Sequence, residues 1–225
     1  MLLRQHLTRI PSPAITMSMS SPWLDIPLND YEGHMAHPGV GQSSVIAELF
    51  DHAIMRWAPS SIAIIGCAGG NGFNKINPEV VKRVVAVDLN PQYIEKTRVR
   101  HTRRLPGLEL LCADVQSESL NYGPVDLTYA ALLFEYVDID SALRTLKRNS
   151  RLGAALTTVL QLPHAAMPSV SPSPYRSLDC LASLMNLVAP EDLHSAARRA
   201  GFTSTDTAMV ELASGKQFYV QNFKA

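Results

Sequence analysis

The chain has 225 residues, with 20 Lys and Arg against 20 Asp and Glu and a formal charge of +0. That length suffices for one α/β domain with a full core and is short for two of ordinary size. Nothing in the balanced charge suggests the one-sided basic surface that non-specific phosphate-backbone binding requires, and no apolar run approaches the roughly 18 residues of a membrane span.

Residues 1–21 carry Pro11, Pro13 and the serine-rich Met17–Ser21 stretch, which predicts a flexible leader; its apolar part is too short and interrupted for a secretory h-region. Trp23 to His37 is dense in polar and aromatic groups without clean periodicity. A solvated loop is the plain reading. Yet Tyr31, Glu32, His34 and His37 crowd around Met35, and His34 stands out as a candidate proton acceptor. Val45, Ile46, Leu49, Phe50, Ala53, Ile54 and Trp57 then recur at helical spacing, with Pro38 or Gly41 ahead and Pro59 behind. Residues 22–58 thus read as an N-terminal cap over the rest of the domain.

Ser61 to Phe73 is the centre of the chain. Its first half, Ser-Ile-Ala-Ile-Ile, is the short apolar run of a strand buried on both faces. Its second half holds Gly66, Gly69, Gly70 and Gly72, where backbone can bend tightly and a ligand can approach without meeting a Cβ. A second apolar run, Val84 to Val87, ends in Asp88. An acid about 20 residues beyond such a turn can accept hydrogen bonds from both hydroxyls of a ribose. A tight strand–helix turn with nothing bound is the plainer alternative, and the pattern alone names no cofactor.

Asn90-Pro91 is an N-cap and first-turn pair, so a helix starts there. Its tail carries Arg98, Arg100, Arg103 and Arg104, best read as a solvated face. Leu108 to Cys112 is a third strand, running out at Ala113-Asp114-Val115, where Asp114 either faces the crevice or caps a turn. Val125 onward is a fourth strand that delivers Ala130, Glu135 and Tyr136 to the edge where such sheets bind substrates. A helix over 141–151 and a fifth strand over 154–162 come next. Residues 163–174 are rich in proline and serine, either a linker or a lid, and 177–187 reads as an apolar helix. The chain closes with a helix from Pro190 to Gly201 and a hairpin of Thr203–Leu212 and Phe218–Phe223, turning at Ala213-Ser214-Gly215-Lys216. Cys67, Cys112 and Cys180 are few, odd in number and set among apolar residues, which predicts reduced core thiols in a cytoplasmic setting and no metal cluster.

The order of these elements and their motifs resembles the class I S-adenosylmethionine-dependent methyltransferases, in layout over residues 22–225. It looks closest to a bacterial group of small-molecule methyltransferase-like proteins with a Tyr-Glu-x-His-Met stretch, here Tyr31-Glu32-Gly33-His34-Met35. The resemblance implies a Rossmann-like, doubly wound, mostly parallel seven-stranded α/β sheet with a C-terminal antiparallel hairpin, in a single domain with a lid-like insertion at 163–187. It implies S-adenosyl-L-methionine as cofactor. Gly66, Ala68 and Gly70 would pass under its methionine part, and Asp88 and Leu89 would meet the ribose. Asp114 and Val115 would meet the adenine edge, Ala130 the amino group and Tyr31 the sulfonium. His34, then Glu135 and Tyr136, are the candidates for proton removal from an oxygen or nitrogen of a small-molecule acceptor, with His164 a weaker one.

Two positions depart from the family pattern. Ile64 stands where an acid usually precedes the turn, and Ala68 replaces the middle glycine; Glu32 or Glu135 would then have to pair with the cofactor's ammonium. An NAD-dependent oxidoreductase and a non-catalytic S-adenosylmethionine-binding protein are the alternatives. A nucleic-acid methyltransferase has only the Arg98–Arg104 cluster in its favour. Neither nucleic acid nor membrane is expected as a partner, and a homodimer is left open.

Overall fold

A computed structural model describes residues 21–225; apart from Ser21, the expected leader lies outside the described residues. The strands are β1 (Ser61–Ile65), β2 (Arg83–Asp88), β3 (Leu108–Cys112), β4 (Val125–Ala131), β5 (Ser150–Gln161), β6 (Thr203–Glu211) and β7 (Gln217–Lys224). They form one seven-stranded sheet in the order β3-β2-β1-β4-β5-β7-β6. The first five run parallel, while β7 lies antiparallel between β5 and β6. This is the mixed sheet with a C-terminal hairpin that the order of elements predicts.

The helices are α1 (Leu28–Ala36), α2 (Gln42–Trp57), α3 (Pro91–His101), α4 (Ile139–Arg148) and α5 (Pro190–Arg199). Because successive strand residues point to opposite faces, β1 feeds two cores at once. Ala63 and Ile65 pack with Leu143 and Leu146 of α4 and Leu193 and Ala196 of α5. Ile62 and Ile64 pack with Phe50 and Ala53 of α2 and Ile94 of α3. Every residue of β1 is buried, as its unbroken apolar run requires.

Side-chain caps fix the helix starts. Asn90 Oδ1 accepts the Gln92 N–H at 2.9 Å ahead of α3, and Asp138 Oδ1 accepts the Ser141 N–H at 2.8 Å ahead of α4. The end of α4 comes earlier than helical spacing suggests. Asn149 is wholly buried, and its side-chain amide donates to Leu120 and Thr145 carbonyls while its Oδ1 accepts the Tyr122 and Gly123 N–H groups. This clamp ends the helix, so Ser150–Gly153 already belong to β5.

Three other expectations are corrected. The polar stretch Trp23–His37 is not a loop but a 3-10 turn at Pro22–Leu24 followed by α1. A nine-residue helix is marginal alone, and burial of Leu28, His34 and Met35 holds it. Residues 176–183 form a 3-10 helix in place of the α-helix expected over 177–187. Cys67 is buried, but Cys112 and Cys180 are exposed: β3 is an edge strand, with solvent on one side of its last residue. No helix of the described residues is long and apolar enough to cross a membrane.

Candidate functional site

Strand order reverses between β2-β1 and β4-β5, so crossover connections leave to opposite faces at the carboxyl ends of β1 and β4 and open a crevice there. Register places the key residues level: Ile65 pairs with Val87 and with Ala130, and Asp88 pairs with Cys112. The chain leaves β1 through Gly66, Ala68, Gly70 and Gly72, with φ of 70°, 45°, 85° and 80°. For an L-residue such as Ala68 the left-handed region costs about 1–2 kcal/mol. Two bonds hold Ala68 there: Asp88 Oδ2 accepts its N–H at 2.8 Å, and Thr97 Oγ1 donates to its carbonyl at 2.7 Å.

Asp88 is only 9% exposed, and its Oδ1 accepts the Asn90 N–H at 2.9 Å. Burial pushes its pKa up, and backbone N–H groups of Asn90, Ala68 and Leu89 oppose the rise. A carboxylate offers about four acceptor sites; acceptor capacity remains for a ligand's hydroxyls.

The arginines at the end of α3 are all exposed, as the composition suggests, and two of them also hold neighbouring backbone. Arg100 forms an ion pair with Glu32, its Nη2 donating to Oε2 at 3.0 Å, and its Nη1 reaches the Gly69 carbonyl at 3.3 Å. Arg104 donates to the carbonyls of Phe73, Asn74 and Ile76 at 2.7, 2.8 and 2.6 Å. The glycine turn exposes carbonyls that no helix satisfies, and these two guanidinium groups take them up. A Cβ at Gly69 would collide with Glu32 and Arg100.

Above the turn lies a cleft of ≈ 870 Å³, counting the solvent at its mouth. Gly66, Ala68, Asp88, Leu89, Asp114, Val115 and Tyr31 all line it. Asp114 both faces the cleft and caps a local turn, its Oδ1 accepting the Gln116 N–H at 2.8 Å. Gly70 and Ala130 lie off its wall. Ala130 is fully buried within β4, and the cleft is met by the next residues, Ala131, Leu132 and Leu133. Leu132 also has a positive φ, 51°. Glu32 lines a smaller hollow over Ile64 and Gly66–Gly69 on the α2 side.

Trp23, Tyr31, Leu132 and Tyr136 separate this cleft from a second one of ≈ 450 Å³, again counting the solvent at its mouth. The aromatic rings meet edge to face, Trp23 to Tyr136 at 5.0 Å and Trp23 to Tyr31 at 5.8 Å between centroids. His34, Gln42, Gln161 and Lys216 supply polar groups to this second cavity, and Leu178, Leu181 and Met185 part of its apolar wall. His34 is buried, with Nδ1 2.8 Å from Ser173 Oγ. Burial, then the Lys216 charge, then His37 hold its pKa below the ordinary value, so it stands neutral.

Glu135 lies behind the cavity, not in its wall. It is 1% exposed, Oε1 accepts the Gln161 N–H at 2.8 Å, and Oε2 has no partner among the described residues. Burial pushes its pKa up to about 7. His164 is exposed on the 163–174 loop, away from both cavities. Gln42, Gln161 and Lys216 carry no sequence signal of a site, since a lysine in a hairpin turn looks like ordinary solvated decoration.

Residues 62–153 match a family described as a methyltransferase domain. Among solved structures, the chain is similar to the N-methyltransferase NodS from Bradyrhizobium japonicum WM9, crystallised with S-adenosyl-L-homocysteine. The identity is 17%, the TM-score 0.63, and the match covers 87% of this chain and 98% of that one. It is similar to the [4+2]-cyclase SpnF at 13% identity and TM-score 0.63, covering 81% of each chain. It is also similar to a geranyl diphosphate C-methyltransferase from Streptomyces coelicolor A3(2) at 14% identity and TM-score 0.61, covering 81% of this chain and 77% of that one. No match is found among proteins of curated function. Residues 62–153 thus resemble a methyltransferase domain, and the chain has the fold of the class I S-adenosylmethionine-dependent methyltransferases.

Proposed function

We propose that this protein is an S-adenosylmethionine-dependent methyltransferase that passes a methyl group to an oxygen or nitrogen of a small molecule. One observation carries the reading: the cleft over the glycine turn and the cavity holding His34 share one aromatic wall. A donor in the first and an acceptor in the second would meet at Tyr31, Leu132 and Tyr136. In this reading Asp88 and Leu89 hold the ribose, Asp114 and Val115 the adenine edge, and the turn from Gly66 to Ala68 the methionine part. Glu32, the candidate for the negative charge that Ile64 cannot supply, would have to exchange Arg100 for the cofactor's ammonium. When bound, S-adenosylmethionine supplies an activated methyl group, transferred in line with the departing sulfur.

The chain's own contribution is position and proton removal. An acceptor atom must be held within about 3–3.5 Å of the methyl carbon with water excluded. Residues 22–58 as a cap and 163–187 as a lid would do this, and neutral His34 would take the acceptor's proton.

The test is thermal melting of the full chain with S-adenosylmethionine, S-adenosylhomocysteine or NAD. Protection by the first two and not by NAD is expected; an unchanged melting temperature in saturating S-adenosylmethionine, or protection by NAD alone, overturns the reading. That a [4+2]-cyclase shares this fold supports a second reading, in which this chain transfers no methyl group. Incubation of a metabolite extract with donor labelled in its methyl group separates them, since only a methyltransferase yields labelled product.

A further inference from the structure

We propose that the second cavity takes an acceptor bearing a carboxylate, which Lys216 holds at its polar end. The inference rests on the methyltransferase reading for the word acceptor, and on Lys216 for the charge.

Lysine is almost never fully buried without a carboxylate beside it. Lys216 is 1% exposed, and no Asp or Glu oxygen among the described residues lies within ion-pair distance. Its ammonium has three protons. Ser169 carbonyl accepts at 2.6 Å and Gln161 Oε1 at 3.4 Å, while the third has no acceptor among the described residues. Gln161 Oε1 also accepts from Gln42 Nε2 at 2.9 Å, and Gln161 Nε2 donates to Ser169 at 2.7 Å. Each of these two oxygens thus accepts one neutral amide donor besides the ammonium, and neither carries a charge to balance it. Burial alone draws the amine down to about 8, so the fold supports this charge at a cost.

The rest of the cavity fits the same ligand. Trp23, Tyr31, Leu178, Leu181 and Met185 would enclose a flat or apolar body. His34 is neutral and Lys216 repels any second cation, so an anion is the one charged group the cavity favours. Lys216 comes from the β6–β7 turn and Ser169 from the proposed lid, so an anion seated between them would also tie the lid to the sheet edge.

The test uses matched acids and amides on the full-length protein: acetate, benzoate and 4-hydroxybenzoate against acetamide, benzamide and 4-hydroxybenzamide, in titration calorimetry and thermal melting at pH 7. At least one acid is expected to bind 10-fold or more tightly than its amide, and Lys216→Met is expected to abolish that preference while S-adenosylhomocysteine still protects the variant. Equal binding of every acid and its amide, or a preference that survives in Lys216→Met, overturns the proposal. The acid-against-amide comparison on the unmodified protein decides the matter even if Lys216→Met does not fold. Absence of acid binding with intact S-adenosylhomocysteine binding refutes only the carboxylate site, whereas the reverse pattern refutes only the methyltransferase reading.

Discussion

Asp88 accepts the backbone N–H of Ala68 at 2.8 Å, and the two residues lie 20 apart in the chain. The bond joins the acid at the end of β2 to the turn that leaves β1, so the two halves of the proposed cofactor site are fixed to each other before any ligand arrives. Preorganisation of this kind lowers the ordering that binding must bring about.

Asp88→Ala removes the acceptor for the buried N–H groups of Ala68 and Asn90 and is expected to lower stability by about 1–3 kcal/mol. Asp88→Asn keeps one oxygen and is expected to lower it less. Both are expected to lose protection by S-adenosylhomocysteine, because an amide cannot accept from two hydroxyls of a ribose. Melting curves with and without that ligand check both effects. Full protection of Asp88→Asn would separate Asp88 from ribose binding.

The departure at Ala68 yields a second expectation. Its φ of 45° suits glycine, so Ala68→Gly relieves strain that outweighs the added unfolded-state entropy by up to about 1 kcal/mol. Gly70→Ala does the opposite: φ is 85°, and the new Cβ would come 2.5 Å from His101 Nε2. A loss of at least about 1–2 kcal/mol is expected there. Urea denaturation of the two variants should move in opposite directions, and a loss in both would mean that Ala68 Cβ packs in a way the cleft geometry does not reveal.

Much of this arrangement was legible from residues alone, for a physical reason. β1 and the Val84–Asp88 part of β2 are buried in parallel strands, so their apolar runs are uninterrupted, and the turn's positive φ favours glycine. Asp88 followed from the same logic, because it ends a strand whose length the apolar run defines. The second cavity was not legible. Its polar groups come from α1, α2, β5 and the β6–β7 turn, and only tertiary packing brings His34 near Gln42, Gln161 and Lys216. α1 itself has too weak an apolar face to declare a helix, and no sequence pattern says that the exposed Arg100 and Arg104 also reach backbone carbonyls at and after the glycine turn. Glu135 is a candidate base by its position after β4. Its buried carboxyl lies outside the wall of the second cavity and accepts the Gln161 N–H.

The buried carboxyl of Glu135 makes stability depend on pH. Its ordinary pKa of 4.5 is raised to about 7 in the fold, so the folded state binds a proton that the unfolded chain releases between these values. The stabilisation is complete below pH 4.5 and lost as pH rises through 7, on the order of 3 kcal/mol in all. Glu135→Gln keeps an oxygen for the Gln161 N–H and cannot ionise. It is expected to abolish this slope and to exceed the unmodified protein in stability at pH 8. Urea midpoints at pH 5, 6, 7 and 8 measure the difference, and a constant gap between the two proteins would show that Glu135 does not titrate in this range.

His34 provides the last test, with a readout that does not require the acceptor to be known. Burial and Lys216 lower its pKa, so its ring protons in an NMR titration are expected to change at a pH below the ordinary histidine range. Lys216→Met removes a neighbouring positive charge and is expected to move that transition upward. Ser173 Oγ, 2.8 Å from Nδ1, fixes the ring, leaving Nε2 as the nitrogen for a substrate's proton. If His34 is the base, His34→Gln is expected to lower kcat by 10²–10⁴-fold with S-adenosylmethionine affinity unchanged. The rate of the unmodified enzyme would then be flat above neutral pH and fall as His34 protonates. Ser173→Ala frees the ring without removing it, so a loss of about 10-fold is expected, with the pH profile retained. A His34→Gln variant with unreduced kcat would leave acceptor positioning, with no proton transfer by His34, as the cavity's contribution.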